Sequence, residues 1–334
     1  MNQAIIEKLK SAVLFRQNFF AEGTVHDAPF RLVNGFTEGL PGLVIDIFAK
    51  TAVIHDYGTD PYDPTEITNV LLEELPFLKA VILKNRAAHS YAEKNGVLLH
   101  GVKPDDRIKE NGVTYALDLM MNRDNSFYAD TRFLRQYLLT HVKDMDVLNT
   151  FAYTGSLGIA AAAGGAASVL QTDLSDKFMQ TAKRSLSMNR IYFTNKNFLA
   201  GNFFPVIGKL KRENRKFHCI ILDPPFFSKT PRGEVDLCAA PEVPINKVRP
   251  LIHDNGLLIT VNNSLYLSGE EFLRRLNVLC KDGYLSIEKT IPIPPDFIGP
   301  DPDYMRHYAV SPAPFNHPTK IVVLRVKTKS KAIS

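Results

Sequence analysis

The chain predicts an α/β protein: an open, mostly parallel sheet preceded by a small α+β domain. Three observations predict this. From Asp146 onward, short apolar runs suited to buried strands alternate with good helix formers. Two of those runs end on an acid, Asp173 and Asp223, and the carboxyl ends of strands are where open α/β sheets bind ligands. Before residue 104 the pattern changes to paired strands around one amphipathic helix. At 334 residues the prior is two domains, and we place them at 1–104 and 105–334.

In the first domain, Gly42–Phe48 and Ala52–Tyr57 are strand-like runs joined by Ala49-Lys-Thr51, a hairpin. Pro64–Leu75 has helical apolar spacing, and Ala80–Leu83 is a further strand leading into Lys84-Asn-Arg86. The polar stretch Lys103–Arg107 reads as a linker, and Asn111–Leu119 as a hairpin or strand entering the second domain. In Phe127–Arg135, Asp130 reads first as a cap on the following helix, which buries Phe133, Leu134, Tyr137 and Leu138. A cofactor-side role for Asp130 or Arg132 is the alternative.

The second domain carries the chemistry. Asp146-Val-Leu-Asn-Thr-Phe-Ala-Tyr-Thr-Gly155 is a buried strand ending near Phe151, with a glycine turn before the helix former Leu157–Ala163. A glycine there lets a ligand approach the backbone, and the helix start offers free N–H groups to a carboxylate. Ser168–Thr172 is the second strand, and Asp173 at its tip is placed to accept hydrogen bonds from a ribose diol. The three-glycine fingerprint of a dinucleotide site is absent, as suits a nucleoside without pyrophosphate. An ordinary βαβ unit with a solvated Asp173 is the bland alternative. Cys219–Leu222 is a central parallel strand that ends on Asp223-Pro-Pro-Phe226. Paired prolines hold the chain extended and remove two backbone donors, so their carbonyls stand out as rigid acceptors. Phe226 offers a flat face to an extruded base. The bland alternative is a tight loop with a core phenylalanine.

Composition agrees with a globular protein, at 45% apolar and 22% charged residues. A net charge of +5 and a pI near 8.9 allow an anionic partner without demanding one. Basic residues cluster at Lys209, Lys211, Arg212, Arg215 and Lys216, and again at Lys327, Lys329 and Lys331. These are solvated helix and tail charges or, alternatively, phosphate contacts. Three scattered cysteines, Cys219, Cys238 and Cys280, show no metal-ligand spacing and point to the cytosol. Charges interrupt the apolar part of the N-terminus, so it is not read as a signal peptide, and no membrane span is expected.

These stretches together resemble the class I S-adenosylmethionine-dependent methyltransferases that modify bacterial large-subunit 23S ribosomal RNA. The resemblance rests on Gly39–Asp46, Leu83–Arg86, Phe127–Arg132, Leu148–Ser156 and Asp223–Ser228. It implies a Rossmann-like class I methyltransferase sheet, S-adenosylmethionine as cofactor, and RNA as partner, with no membrane or metal; the oligomeric state stays open. It also implies cofactor contacts at Tyr153, Thr154, Gly155, Asp173 and position 202. Asn149 and Phe151 within those stretches, and Leu174 beside Asp173, are further cofactor candidates, alongside Asp130 and Arg132. Base contacts are implied at Asp223, Pro224, Pro225 and Phe226.

That group has a cytosine-C5 branch and a guanine-N7 branch. The C5 branch opens with a small RNA-binding domain, for which too few residues precede Gly39. Position 202, usually an aspartate facing the adenine amine, is Asn202, whose amide oxygen still accepts that bond. The C5 branch carries a nucleophilic cysteine after the strand Leu257–Val261; here stand Asn262 and Asn263. Carbon 5 of cytosine is a poor nucleophile until a thiolate adds at carbon 6. Guanine N7 already has a lone pair and needs only positioning. Asn262 or Asn263 is therefore expected on the base edge, in a single displacement without a covalent intermediate. Exocyclic amine, small-molecule or protein methylation, and a non-catalytic RNA-binding role, are the competing readings. In the proline-rich tail Ile293–Asp303, followed by Tyr304, Arg306 and His307, we read His307 as a satisfied loop residue. Thr319–Lys327 reads as a final edge strand.

Overall fold

The structure is a computed structural model that describes residues 3–20, 26–301 and 304–327. Lys329 and Lys331 of the basic tail, and Pro302 and Asp303 of the proline-rich stretch, lie outside the described residues. The chain divides into two compact units, Met1–Arg132 with Pro294–His307, and Phe133–Ile293 with Tyr308–Ser334.

The first unit is built on a five-stranded sheet: β1 (Pro29–Asn34), β2 (Leu43–Phe48), β3 (Thr51–Asp56), β4 (Ala80–Asn85) and β5 (Val97–His100), side by side in that order. The expected hairpin is β2–β3, with Phe48 opposite Thr51 and Ala49 at a positive φ of 52° in the turn. β3 and β4 are parallel, so the chain must cross over between them. Helix α2 (Pro64–Glu74) makes that crossover, with Asp63 accepting from Thr65 N–H as its N-cap. Helix α1 (Gln3–Phe15) packs beside it, and Leu9, Leu32, Ile45, Ile54, Ile67, Leu71 and Val81 form the core. Short helix α3 (Tyr91–Asn95) precedes β5. Hairpin β6 (Arg107–Glu110) and β7 (Val113–Ala116) closes through Asn111-Gly112. Both turn residues have positive φ, as a two-residue turn between twisted strands requires.

The expected boundary at 104 is therefore displaced. The hairpin and the residues up to Arg132 belong to the first unit, and Pro294–His307 returns to it. A buried ion pair explains the return. Asp296 is fully buried and accepts from Arg132 Nη1 and Nη2 at 2.9 and 3.0 Å and from the Arg31 N–H at 2.9 Å. His307 stacks on Phe36, ring centroids 4.3 Å apart, in line with its reading as a satisfied residue.

Helix α4 (Arg132–His141) leads into the second unit and buries Leu134, Arg135, Tyr137 and Leu138. The sheet that follows has seven strands. They are β8 (Asp146–Thr150), β9 (Ser168–Asp173), β10 (Phe198–Ala200), β11 (Phe217–Leu222), β14 (Ile252–Asn262), β15 (Leu285–Ile291) and β16 (Lys320–Val326). Between β11 and β14 lies a separate hairpin, β12 (Phe227–Thr230) with β13 (Gly233–Asp236). The sheet order is β10-β9-β8-β11-β14-β16-β15. β10, β9, β8, β11 and β14 run parallel, and β16 is antiparallel to both neighbours. Thr319–Lys327 is thus an interior strand and not the edge strand expected. Ile321 to Leu324 are all buried, and an unbroken apolar run is what a strand covered on both faces needs.

Helices α5 (Ser156–Ala163), α6 (Asp176–Met188), α7 (Phe203–Arg212), α8 (Glu242–Val248) and α9 (Gly269–Cys280) connect the strands. Leu148, Ile207, Leu210, Ile220, Leu222, Leu258, Phe272 and Leu324 share one core. Among the described residues no helix is long and apolar enough to cross a membrane.

Candidate active site

Strand register brings three of the sequence motifs to one edge of the second unit. Thr150 pairs with Thr172 of β9 and with Leu222 of β11, and Leu222 pairs with Thr260 of β14. The next residues, Phe151, Asp173, Asp223 and Val261, therefore stand in a row at the carboxyl ends of the strands. The sheet reverses its direction of growth between β8 and β11, and such a switch point opens a ligand crevice.

The turn after β8 is backbone under tension. Phe151, Tyr153 and Gly155 take φ values of 53°, 51° and 82°, in the region L side chains avoid. Asp173 holds this turn. Its Oδ2 accepts the Tyr153 N–H at 2.8 Å, and its Oδ1 the Ser175 N–H at 2.9 Å. The rings brace it too: Phe151 stacks on Phe203, and Tyr153 meets Phe178 edge-on, both at 4.6 Å.

Gly155 is required twice over, by its φ and by space. A Cβ there would come within 2.6 Å of both the Ala182 Cβ and the Gln171 Oε1. Gln171, which sequence reading missed, is the buried floor of the turn and also accepts from Asn149 Nδ2 at 3.3 Å. Asn149 Oδ1 is buried with no partner, an acceptor left over beside the turn. Thr154 is buried and Leu174 exposed. Gly155 caps α5 without a side-chain acceptor, so the first N–H groups of that helix remain available to an anion.

Asn202 has a second occupation. Its Oδ1 accepts from Phe204 N–H at 3.1 Å and so caps α7, while its Nδ2 donates to Thr230 Oγ1 at 3.0 Å. Its oxygen keeps a second lone pair for an adenine amine. Thr230 ties position 202 to the hairpin after Asp223-Pro-Pro, a link no sequence signal announces.

At the other wall Pro224 is buried, while Pro225, Phe226 and Phe227 are exposed and Asp223 is half-buried. Asn262 differs from expectation. It is 1% exposed, donates to the Leu237 carbonyl at 3.0 Å and accepts the Ser264 N–H at 3.0 Å. Its amide ties two loops together, so Asn263, which is exposed, is the asparagine facing solvent here. Lys320, opposite Asn262 in the register, is also buried. It donates to the carbonyls of Ser264 and Pro318 at 2.9 and 2.6 Å, and burial pulls its ammonium down to about 8.

Of the cysteines, Cys219 lies inside β11, where burial pushes its thiol up to about 12. Cys280 ends α9, and burial raises it as well. Cys238 is half-buried. The basic cluster Lys209–Lys216 falls at the end of α7, just before β11 begins. It sits at the opposite edge of the sheet from Asp223. Burial, and to a lesser extent the neighbouring Lys247, lower the Lys211 ammonium. Lys229 and Arg232 of the hairpin are exposed nearer the mouth.

Asp130 and Arg132 belong to the first unit. Arg132 is committed to Asp296 and to the Pro29 carbonyl at 2.9 Å. Burial lowers the Arg31 guanidinium, but Asp46 and then Asp130 outweigh it, and the net shift is upward. Asp130 therefore acts on Arg31 within that unit.

A family model described as S-adenosylmethionine-dependent methyltransferase matches residues 88–303. The ribosomal RNA large subunit methyltransferase I of Vibrio campbellii is 30% identical over 234 residues, 67% of this chain and 58% of that protein. The chain thus spans less than two thirds of that relative. Among solved structures, one assigned as an S-adenosylmethionine-dependent methyltransferase from Streptococcus mutans superposes with a TM-score of 0.81 at 20% identity, covering 96% of this chain and 80% of that one. A methyltransferase solved with S-adenosylhomocysteine gives 0.80 at 19%, with the same coverage. At those identities the likeness is one of fold.

Proposed function

The chain belongs to the S-adenosylmethionine-dependent methyltransferase family, and on that premise we propose that it methylates large-subunit ribosomal RNA at a guanine ring nitrogen, N7. The RNA class is supported by the name of the Vibrio campbellii relative.

The residues of the β8–β9 edge fit the cofactor. The turn Tyr153-Thr-Gly155 and the uncapped start of α5 suit its carboxylate. Asp173 keeps lone pairs for a ribose diol beside its two backbone bonds. Exposed Leu174 and position 202 suit the adenine, and the unpartnered Asn149 Oδ1 offers a further acceptor. Phe151 shapes the floor through its stack on Phe203. When bound, the cofactor supplies an electrophilic methyl carbon on a sulfonium centre. The chain's own part is to hold the base: Phe226 under its face, Asp223 and the Pro224 carbonyl at its edge, and Pro225 stiffening the loop.

One observation carries the choice of N7. The strand end that would present a thiolate is Asn262-Asn-Ser264, while Cys219 is locked in the sheet interior. A ring nitrogen with its own lone pair needs no covalent activation, only alignment and exclusion of competing geometries. A second reading, cytosine C5, has one observation in its favour. The Leu237 carbonyl is held by Asn262, which starts Cys238 off at the same strand end.

The test is methyl transfer to total ribosomal RNA from a strain lacking this protein, with mass spectrometry of the nucleosides. A single new 7-methylguanosine, unaffected by Cys238→Ala, supports N7. New 5-methylcytidine that disappears in Cys238→Ala establishes the second reading instead. Asp223→Ala is expected to abolish transfer while S-adenosylhomocysteine affinity stays within about two-fold; a fully active variant removes Asp223 from the base pocket.

A further inference from the structure

Opposite Phe226 stands an aromatic ring that neither the sequence reading nor the comparisons assign. Tyr266 is 61% exposed and Phe226 39% exposed. Their ring centroids are 5.9 Å apart, with the planes at 48°. At that distance and tilt the two exposed rings are in direct aromatic contact, each covering part of the other's face.

The loop that carries Tyr266 is rigidly built. The Tyr266 N–H donates to Ser264 Oγ at 3.2 Å. Ser264 is fully buried; its N–H donates to Asn262 Oδ1 at 3.0 Å and its carbonyl accepts from Lys320 Nζ at 2.9 Å. Asn262 and Lys320 are themselves each 1% exposed. On the other side Leu267 is buried in the core, and Ser268 caps α9 by accepting from the Glu271 N–H at 3.1 Å. A run of buried, mutually satisfied polar groups is a costly way to anchor a loop unless its position matters. The anchors fix the backbone on both sides of a large ring and leave that ring in water.

We propose that Tyr266 is the second wall of the base pocket: an extruded nucleobase displaces the exposed Tyr266 ring from its contact with Phe226, stacks on Phe226 and is held on its other side by Tyr266. The proposal rests on the RNA-methylation reading above. A nucleobase is the occupant that fits, because Phe226 directly follows Asp223-Pro-Pro in the chain, and a carboxylate and a proline carbonyl are acceptors for the polar edge of a flat heterocycle. The ring face does the holding, and the phenol hydroxyl is not needed for it. The buried Asn262 and Lys320 are positioning residues that act through the loop.

The experiment compares the full chain with Tyr266→Ala, Tyr266→Phe and Tyr266→Trp on ribosomal RNA from the strain lacking this protein. Losing one stacking face is expected to lower kcat/KM for RNA on the order of 10-fold or more. S-adenosylhomocysteine affinity and the urea midpoint should stay unchanged, and Phe and Trp should stay within about three-fold of the parent. The chain contains no tryptophan, so Tyr266→Trp is a unique reporter whose emission is expected to be quenched on adding the RNA. Three results overturn the proposal. Tyr266→Ala with unchanged kinetics beside an inactive Asp223→Ala sinks this inference and leaves the base pocket standing. A Tyr266→Phe as impaired as Tyr266→Ala assigns the effect to the hydroxyl. A parent protein that transfers no methyl group to RNA takes both readings down together.

Discussion

Asp173→Asn separates the two jobs given to that carboxylate. The substitution keeps shape and removes one acceptor oxygen. Today Oδ2 holds the Tyr153 N–H and Oδ1 the Ser175 N–H. An asparagine accepts through one oxygen only, and its NH2 group must then face the other donor. Each charge-assisted bond contributes about 1.5–3 kcal/mol, and an unmet donor costs about 1–3 kcal/mol. Asp173 is half-buried, so solvent relieves part of this, and we expect about 1–2 kcal/mol lost in stability. The turn feels it most, because Phe151 and Tyr153 are held left-handed against about 1–2 kcal/mol each. A ribose would also lose its ionised acceptor, so the dissociation constant for S-adenosylhomocysteine should rise about 10- to 100-fold. Calorimetric titration reads the affinity and urea unfolding reads the stability. A lower midpoint with parental affinity would refute the ribose assignment and leave Asp173 a brace for the turn. No change in either would refute the whole account of this edge.

Two further outcomes concern the first unit. Arg132→Ala leaves the buried Asp296 carboxylate, among the described residues, with only the Arg31 N–H, and the loss of one partner of a buried pair should cost about 3 kcal/mol; urea unfolding checks it, and a midpoint like the parent's would dismiss the clamp. Lys84 is buried and donates to the carbonyls of Asn122 and Asp124 at 2.8 and 2.6 Å, and burial pulls its ammonium down to about 7. The unfolded chain, with an ordinary lysine near pKa ~10.4, binds more protons than the folded one from about pH 7 up to that value. Folding is therefore disfavoured by this group below about pH 7, and that penalty is relieved as pH rises. Between pH 7.5 and 9.0 the parent should gain stability relative to Lys84→Met by up to ~1.4 kcal/mol per pH unit. Parallel urea-derived stabilities across that window would contradict the assignment.

Much of the site was legible because its signals are local. A strand that ends on an acid announces Asp173 and Asp223 through nothing more than hydrophobic run length. The glycine turn announces itself through Gly155, although the reason is double: positive φ and the Gln171 side chain beneath it. What stayed hidden depends on neighbours distant in sequence. Asn262 was placed on a base edge because it stands where a nucleophile would, but the Leu237 carbonyl and the Ser264 N–H claim its amide. Asn202 is shared with a helix cap and with Thr230 for the same reason. The strand at Lys320–Val326 read as an edge because it comes last, and its insertion between β14 and β15 is a matter of topology.

By itself the sequence determined the period of each element, the turns that glycine and proline demand, and the residue types at the strand ends. It therefore set the expectation of a nucleoside site and a base-gripping loop. Only the tertiary structure decided which polar groups are spent on the scaffold and which face solvent. It assigned Pro294–His307 to the first unit through Arg132 and Asp296, and it brought Tyr266 to within 5.9 Å of Phe226. The physical reason is that a buried donor or acceptor must find whichever partner the fold brings near, and proximity across tens or hundreds of residues is a property of packing and register, not of local order.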